Sequence, residues 1–181
     1  MDIVLGVSMT PTTVGIVLVE GENADGVTIE EDSLDVTVAP GAATSTAPDG
    51  VISAILGTRE GAAAAGYRLV ATGVAWTDPT DAAALDEALV AQGTDNVMLV
   101  SAFLAAAALA QAVGHAIDYD QIAMLFVEPG SAVLTVVDCA DGSIADVCRR
   151  PLDNGDIITE LVAMVARLDA LDVRPEGLFV V

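Results

Sequence analysis

Apolar and polar positions along this chain follow one order of spacings twice. Residues 3–7 form a short apolar run, and residues 8–13 (Ser-Met-Thr-Pro-Thr-Thr) form a turn of small side chains. Residues 14–20 are apolar and rich in β-branched side chains, and residues 27–35 alternate apolar with polar. Such runs predict strands, because successive side chains of a strand point to opposite faces. Ala24-Asp25-Gly26 joins the last two strands, and Asp-Gly between such segments is a strong short-range hairpin signal. A helix is predicted over 49–66. The order then returns: an apolar run at 122–127, the turn Glu128-Pro129-Gly130-Ser131, and a β-branched run at 133–137. Ala140-Asp141-Gly142, a strand at 143–149 and a helix at 156–171 follow. The second Ala-Asp-Gly triplet starts 116 positions after the first, at 140 against 24.

Between the copies, residues 69–76 read as a buried strand. Asp78-Pro79 supplies a cap and a first-turn proline for a helix ending at Gln92, with Gly93 as its stop. Residues 97–100 read as another strand and 103–117 as another helix. The first lobe, residues 1–118, is therefore βββαβαβα. The second, residues 119–181, reads βββα and then a bare strand at 178–181, as in a fragment of a longer chain. Strands alternating with helical crossovers define an α/β class with mixed sheets.

Composition narrows the function classes. The 181 residues are 54% hydrophobic, enough for a real core and against intrinsic disorder, although aromatics are only 3%. Lys+Arg 6 against Asp+Glu 27 gives a net charge of −21, and all six basic residues are arginine. Without lysine there is no Walker-type phosphate lysine, no Schiff base and no lysine general base. The acidic balance excludes nucleic acid as a partner, since phosphate neutralisation needs basic patches. Residues 97–117 lack charge and are long enough to span a bilayer, but they read as a strand followed by an alanine-rich helix. With no basic start or cleavage site after Met1-Asp2, the expectation is a soluble, cytoplasmic chain with no membrane span. Cys139 and Cys148 are expected to be reduced packing residues, with Cys139 facing Ile144 across the hairpin.

A duplicated βββαβαβα lobe resembles the plan of the actin and heat-shock chaperone ATPase superfamily, whose lobes are ribonuclease H-like. Residues 72–76 (Thr-Gly-Val-Ala-Trp), 82–88, 97–101 (Val-Met-Leu-Val-Ser) and 105–110 run in the order that chaperone ATPases use. The opening stretch "DIVLGVSMTPTTVGIVLVEGENADGVTI" is similar to the N-terminal part of uncharacterised mycobacterial proteins. In those proteins, further sequence and a membrane anchor follow.

The superfamily grips nucleotide between two phosphate hairpins, each with an aspartate and a glycine-rich turn. The resemblance puts Ser8 at the first aspartate position, Thr10 at the glycine position, and Thr12 and Thr13 in the same turn. In the second hairpin it puts Phe126 at the acidic position, with Gly130 and Ser131 in the turn; an alternative register makes Glu128 the acid and a weak metal candidate. The chaperone-type glutamate after the fifth strand falls at Ala102. Pro11 and Pro129 each remove one backbone donor. ATP hydrolysis needs carboxylates for Mg²⁺ and a polariser for the attacking water. Ser8, Phe126 and Ala102 are neither. Loss of one such group commonly costs about 100- to 1000-fold in rate.

The expected function is thus a non-catalytic pseudo-ATPase, with no catalytic residue, no resident metal and no cofactor. It would act as a protein-interaction or regulatory module of a cell-envelope protein, at the inner face of the plasma membrane. The alternatives are a switch that binds ATP and Mg²⁺ without efficient hydrolysis, and a structural assembly module. Each candidate also has a plainer role. The hydroxyls of Ser8, Thr10, Thr12 and Thr13 can bond their own backbone, and Glu128 can be a solvated turn carboxylate. His115 is expected on a helix surface. Arg149 and Arg150 are expected to pair with Asp153 and Asp156, or else to mark contact with an acidic partner; the acids at 20, 22, 25, 30, 31, 32 and 35 are expected to form a solvated face, or else to attract a basic partner.

Overall fold

The strand that opens the chain becomes the centre of a sheet. In a computed structural model, which describes residues 1–36, 46–94, 96–152, 156–172 and 174–181, β1 (Asp2–Met9) pairs antiparallel with β2 (Thr13–Glu20) and parallel with β4 (Arg68–Trp76). β3 (Thr28–Asp35) extends the sheet beyond β2, and β5 (Val97–Ser101) extends it beyond β4, giving the order β3-β2-β1-β4-β5. The second sheet repeats this plan. β6 (Gln121–Glu128) lies between antiparallel β7 (Ser131–Asp138) and parallel β9 (Gly177–Val180), and β8 (Ile144–Pro151) flanks β7, giving β8-β7-β6-β9. Both Ala-Asp-Gly triplets join the same pair of positions in their sheets, β2 to β3 and β7 to β8. The predicted duplication is real.

The helices follow from local signals. α1 (Ala47–Ala64) has Pro48 in its first turn and buries Val51, Ile52 and Ile55 at helical spacing. Gly66, at φ +77°, ends it, and the Tyr67 amide turns back to the Ala62 carbonyl at 2.8 Å. α2 (Pro79–Ala91) starts as read: the Asp78 carboxylate accepts from the Thr80 amide at 2.6 Å and the Asp81 amide at 3.3 Å. Gly93, at φ +59°, closes it. The uncharged stretch 97–117 divides into β5 and α3 (Ala102–Ala116). Among the described residues no helix is long and apolar enough to cross a membrane.

The first core lies between the sheet and α1 with α2. Ile3, Leu5, Val7 and Met9 of β1 meet Val74 of β4, Ile55 of α1, and Leu85 and Leu89 of α2. The second sheet carries α4 (Ile157–Ala166) on one face, where Met164 packs against Leu125, Ala132 and Leu134. On the same sheet, Phe103 of α3 meets Phe126 edge to face, with centroids 5.9 Å apart and planes at 82°.

Four details differ from the sequence reading. The chain separates into compact units at Met1–Ala102 and Phe103–Val181, ahead of the 118/119 boundary that the repeat suggests. α3 goes with the second unit because Gly114 lies directly against Cys139 Sγ, with Ile122 alongside. Neither Asp-Gly makes a two-residue turn: Glu20 and Val27 close one loop, Asp138 and Ser143 the other. In the second, the Asp141 carboxylate accepts the Ser143 amide at 2.8 Å, so Val137 rather than Cys139 faces Ile144. Both cysteines are free, and burial pushes the Cys139 thiol up. Finally, the predicted helix over 156–171 is α4 followed by a tighter 3-10 turn, Arg167–Ala170.

Two outcomes are expected. Asp78→Ala should destabilise by about 1 kcal/mol, the usual effect of losing an N-cap. The Thr80 amide holds the Asp78 carboxyl below its ordinary value, so its stabilisation is present above the unfolded carboxylate pKa and fades as pH falls through the folded one. Thermal melts should therefore show the gap between wild type and variant narrowing in acid. Gly114→Ala should also destabilise, against the ordinary helix preference for alanine, because the new methyl meets Cys139. In chemical unfolding, the Gly114→Ala/Cys139→Ala pair should lose less stability than the two single changes added together.

Candidate functional site

The turn between β1 and β2 is closed by its own groups. The Thr10 amide donates to the Thr13 carbonyl at 2.9 Å, and the Thr10 hydroxyl donates to the same oxygen at 3.0 Å. The Thr13 amide donates to Thr10 Oγ1 at 2.9 Å, and the Thr12 amide reaches that oxygen at 3.4 Å. Pro11 has no amide hydrogen. The Thr12 carbonyl accepts from the Val36 amide at 2.7 Å, and the Met9 carbonyl accepts from the Thr77 amide at 3.3 Å. A phosphate-gripping turn needs several amides pointing outward together. Here the amides of Thr10 and Thr13 are engaged within the turn. Ser8 is exposed one residue before Met9, opposite Gly15, where an added Cβ would lie 2.5 Å from Ser8 Oγ. Gly15 therefore leaves room for the serine side chain.

The turn between β6 and β7 is shorter. Glu128 pairs with Ser131, leaving Pro129-Gly130 as a two-residue connection with Gly130 at φ +84°. Proline followed by a residue at positive φ is the signature of a type II turn. The Gly130 carbonyl is fixed by the Leu152 amide at 2.8 Å. Glu128 is half-buried at the strand end. Among the described residues, no three His, Cys, Asp or Glu side chains come together to hold a metal ion. Ala102, which the resemblance aligns with the chaperone-type glutamate, is the first residue of α3.

Ser8, Thr10, Thr12 and Thr13 are thus gathered at one turn of the first unit, while Glu128, Gly130 and Ser131 form one turn of the second. His115 is exposed in the last turn of α3. Arg149 and Arg150 are exposed on β8. Asp156 instead caps α4, accepting from the Thr159 hydroxyl at 2.5 Å and its amide at 3.1 Å; Asp153 lies outside the described residues. The acidic run occupies the end of β2, its loop and β3, whose eight residues are all exposed.

One polar feature escaped the sequence reading. The Arg68 guanidinium grips the Asp2 carboxylate through Nε at 2.9 Å and Nη2 at 2.6 Å, tying the starts of two parallel strands. That hydrogen bond holds the Asp2 carboxyl below its ordinary value. The partners are 66 residues apart, so no local spacing announces them.

The two repeated sheets, with helices between their strands, make this an actin-like ATPase fold. The chain belongs to a family of unknown function (DUF7159), whose model matches residues 2–181. No curated protein matches it. Among solved structures it is similar to a Ppx/GppA enzyme of Aquifex aeolicus, at 9% identity and TM-score 0.63, over 99% of this chain and 67% of that one. A further structure of an Aquifex aeolicus member of the Ppx/GppA family, at 10% identity and TM-score 0.58, is covered over 59% of its length by 92% of this chain. A Bacteroides thetaiotaomicron protein with an actin-like ATPase fold and unknown function matches at 7% identity and TM-score 0.50, over 98% of this chain and 81% of that one. The chain spans about three-fifths to two-thirds of the length of its Ppx/GppA neighbours. At these identities the likeness carries the fold.

Thr10→Val keeps the shape of the side chain but removes the hydroxyl on which the first turn closes. A loss of about 1 kcal/mol is expected from the broken bonds. Chemical denaturation with an unchanged slope checks it, since only a lower midpoint with the same slope reports lost stability.

Proposed function

We propose that this chain is a non-catalytic, pseudo-ATPase member of the actin-like fold that serves as a protein-interaction or regulatory module. The observation that carries this reading is the first turn. Its hydroxyl and amides are committed to one another, and a serine stands where the superfamily resemblance puts the Mg²⁺-binding aspartate. Ala102 and Phe126 likewise supply no carboxylate at the other two positions. These residues do not fit a magnesium nucleotide, so no hydrolytic step is assigned to them. The net charge of −21 adds repulsion toward any polyanionic ligand, although screening limits its reach to about 8 Å at physiological salt. A role for the whole protein at the inner face of the plasma membrane rests on the resemblance of residues 2–29 to envelope-linked proteins, and is the further part of the proposal.

Calorimetric titration with ATP and MgCl₂, paired with a phosphate-release assay, tests the reading. No heat of binding up to millimolar nucleotide and release at the buffer rate are expected. Micromolar binding with turnover would overturn it. Tight binding without turnover would instead favour a nucleotide-operated switch. Polyphosphate and glucose belong in the same titration, because exopolyphosphatase and hexokinase occur among the structural neighbours.

A further inference from the structure

The sheet of the first unit ends in a strand that α1 leaves uncovered. β3 pairs with β2 along one edge, and among the described residues no strand lies beside its other edge. Residues paired across antiparallel strands share a face, so Glu30, Asp32 and Leu34 lie on the face that carries Leu18, Ile16 and Val14. That face packs into the core with α1 at β2, where Leu18 is 6% exposed and Val14 is buried. At β3 the cover stops, and all eight residues of the strand are exposed.

Between β3 and the second half of α1 lies a groove of about 410 Å³. Leu18 and Ile29 line it from the sheet, Gly57, Gly61 and Ala65 from the helix, and Glu30 is its charged residue. Leu18 pairs with Glu30 and Val19 with Thr28, so Ile29 is passed over in the β2–β3 register. A bulge of this kind re-aims a side chain, and here the neighbours Ile29 and Glu30 both border the groove. On the helix, a Cβ added at Gly57 or Gly61 would meet nothing within 4 Å. The two glycines, one turn apart, keep the groove open.

The backbone of β3 is also unsatisfied outward. The Val36 amide donates to the Thr12 carbonyl, and successive residues of a strand turn their amides to opposite edges, so those of Glu31, Ser33 and Asp35 point away from β2. The Ser33 amide takes the carboxylate of its neighbour Asp32 at 2.7 Å. The surrounding charge is of one sign. β3 carries Glu30, Glu31, Asp32 and Asp35, and residues 1–58 contain no lysine, arginine or histidine. The cations of the first unit are Arg59 and Arg68; both line a different cavity, and Arg68 is gripped by Asp2.

We infer that the outer edge of β3 and this groove together dock an extended, lysine- or arginine-bearing segment of a partner protein. The segment would add a strand beyond β3, its carbonyls accepting from Glu31, Ser33 and Asp35 and releasing the Asp32 carboxylate for a cation. Alternate side chains of a strand share a face, so an aliphatic one would enter the groove against Ile29, Gly57 and Gly61. Cationic ones would meet Glu30 and Asp32 on that face, and Glu31 and Asp35 on the other. A second copy of this chain does not fit, because its β3 would set these acids against their like. The inference rests on the interaction-module reading and gives it a surface and a partner chemistry.

The test uses the intact chain and three synthetic peptides. The first is Lys-Lys-Val-Thr-Val-Lys-Lys; the second replaces both valines by serine, and the third replaces every lysine by glutamate. Fluorescence anisotropy should show saturable binding of the first, and binding weaker by about tenfold or more for the other two. Amide exchange followed by NMR should slow at Glu31, Ser33 and Asp35. Gly61→Leu fills the groove and exchanges a poor helix former for a good one, so it should melt no lower than wild type yet bind about tenfold more weakly. Absence of binding at about 1 mM peptide would overturn the inference. Equal binding of the serine peptide would do so too, as attraction by charge alone, and so would slowed exchange confined to other residues. A free chain that sediments as a dimer with those three amides already protected would also overturn it. ATP turnover would remove the non-catalytic reading and leave peptide binding intact, whereas loss of peptide binding leaves the altered phosphate turns as they are, so the two fail separately.

Discussion

Each unit depends on a central strand that must satisfy both of its edges. β1 and β6 are hydrogen-bonded antiparallel to the next strand in sequence on one side, and parallel to a strand that returns after a helix on the other. The hairpin partner needs only a turn, but a parallel partner needs a crossover long enough to bring the chain back. That requirement places α1 between β3 and β4, and α4 between β8 and β9. It also places the turns at the ends of β1 and β6, beside the ends of their parallel neighbours. The Thr77 amide on the Met9 carbonyl is a direct trace of this arrangement.

The same geometry bears on the turn that the resemblance aligns with the superfamily's phosphate hairpin. A turn at the end of a central strand has its carbonyls drawn into neighbouring strands and its amides left to find partners. A bound anion or an internal acceptor can satisfy them. Here Thr10 supplies the acceptor, and its hydroxyl bridges the turn. Pro129-Gly130 removes one donor from the second turn and fixes the rest in a tight two-residue connection.

Much of this was legible along the chain. The Ala-Asp-Gly repeat marks equivalent joints in both sheets, and Asp78-Pro79 marks the start of α2 to the residue. Such signals are local, since capping and turn formation are settled within a few residues. The closure of the first turn was also open to reading, because threonine hydroxyls bond nearby backbone readily. Which hydroxyl would do so was not, since Ser8, Thr10, Thr12 and Thr13 offer similar groups. The Arg68–Asp2 grip and the packing of Gly114 on Cys139 were hidden, because both join segments far apart in sequence.

The sequence by itself determined the strands, the helices, their order and the absence of carboxylates at Ser8 and Ala102. Those are matters of residue type and short-range spacing. Tertiary structure alone decided that α3 packs with the second sheet, through Gly114 on Cys139 and Phe103 on Phe126, and that Arg68 of β4 meets Asp2 of β1. The reason is physical. A side chain's pattern says that it prefers burial, but only the arrangement of distant segments determines whether anything is there to bury it.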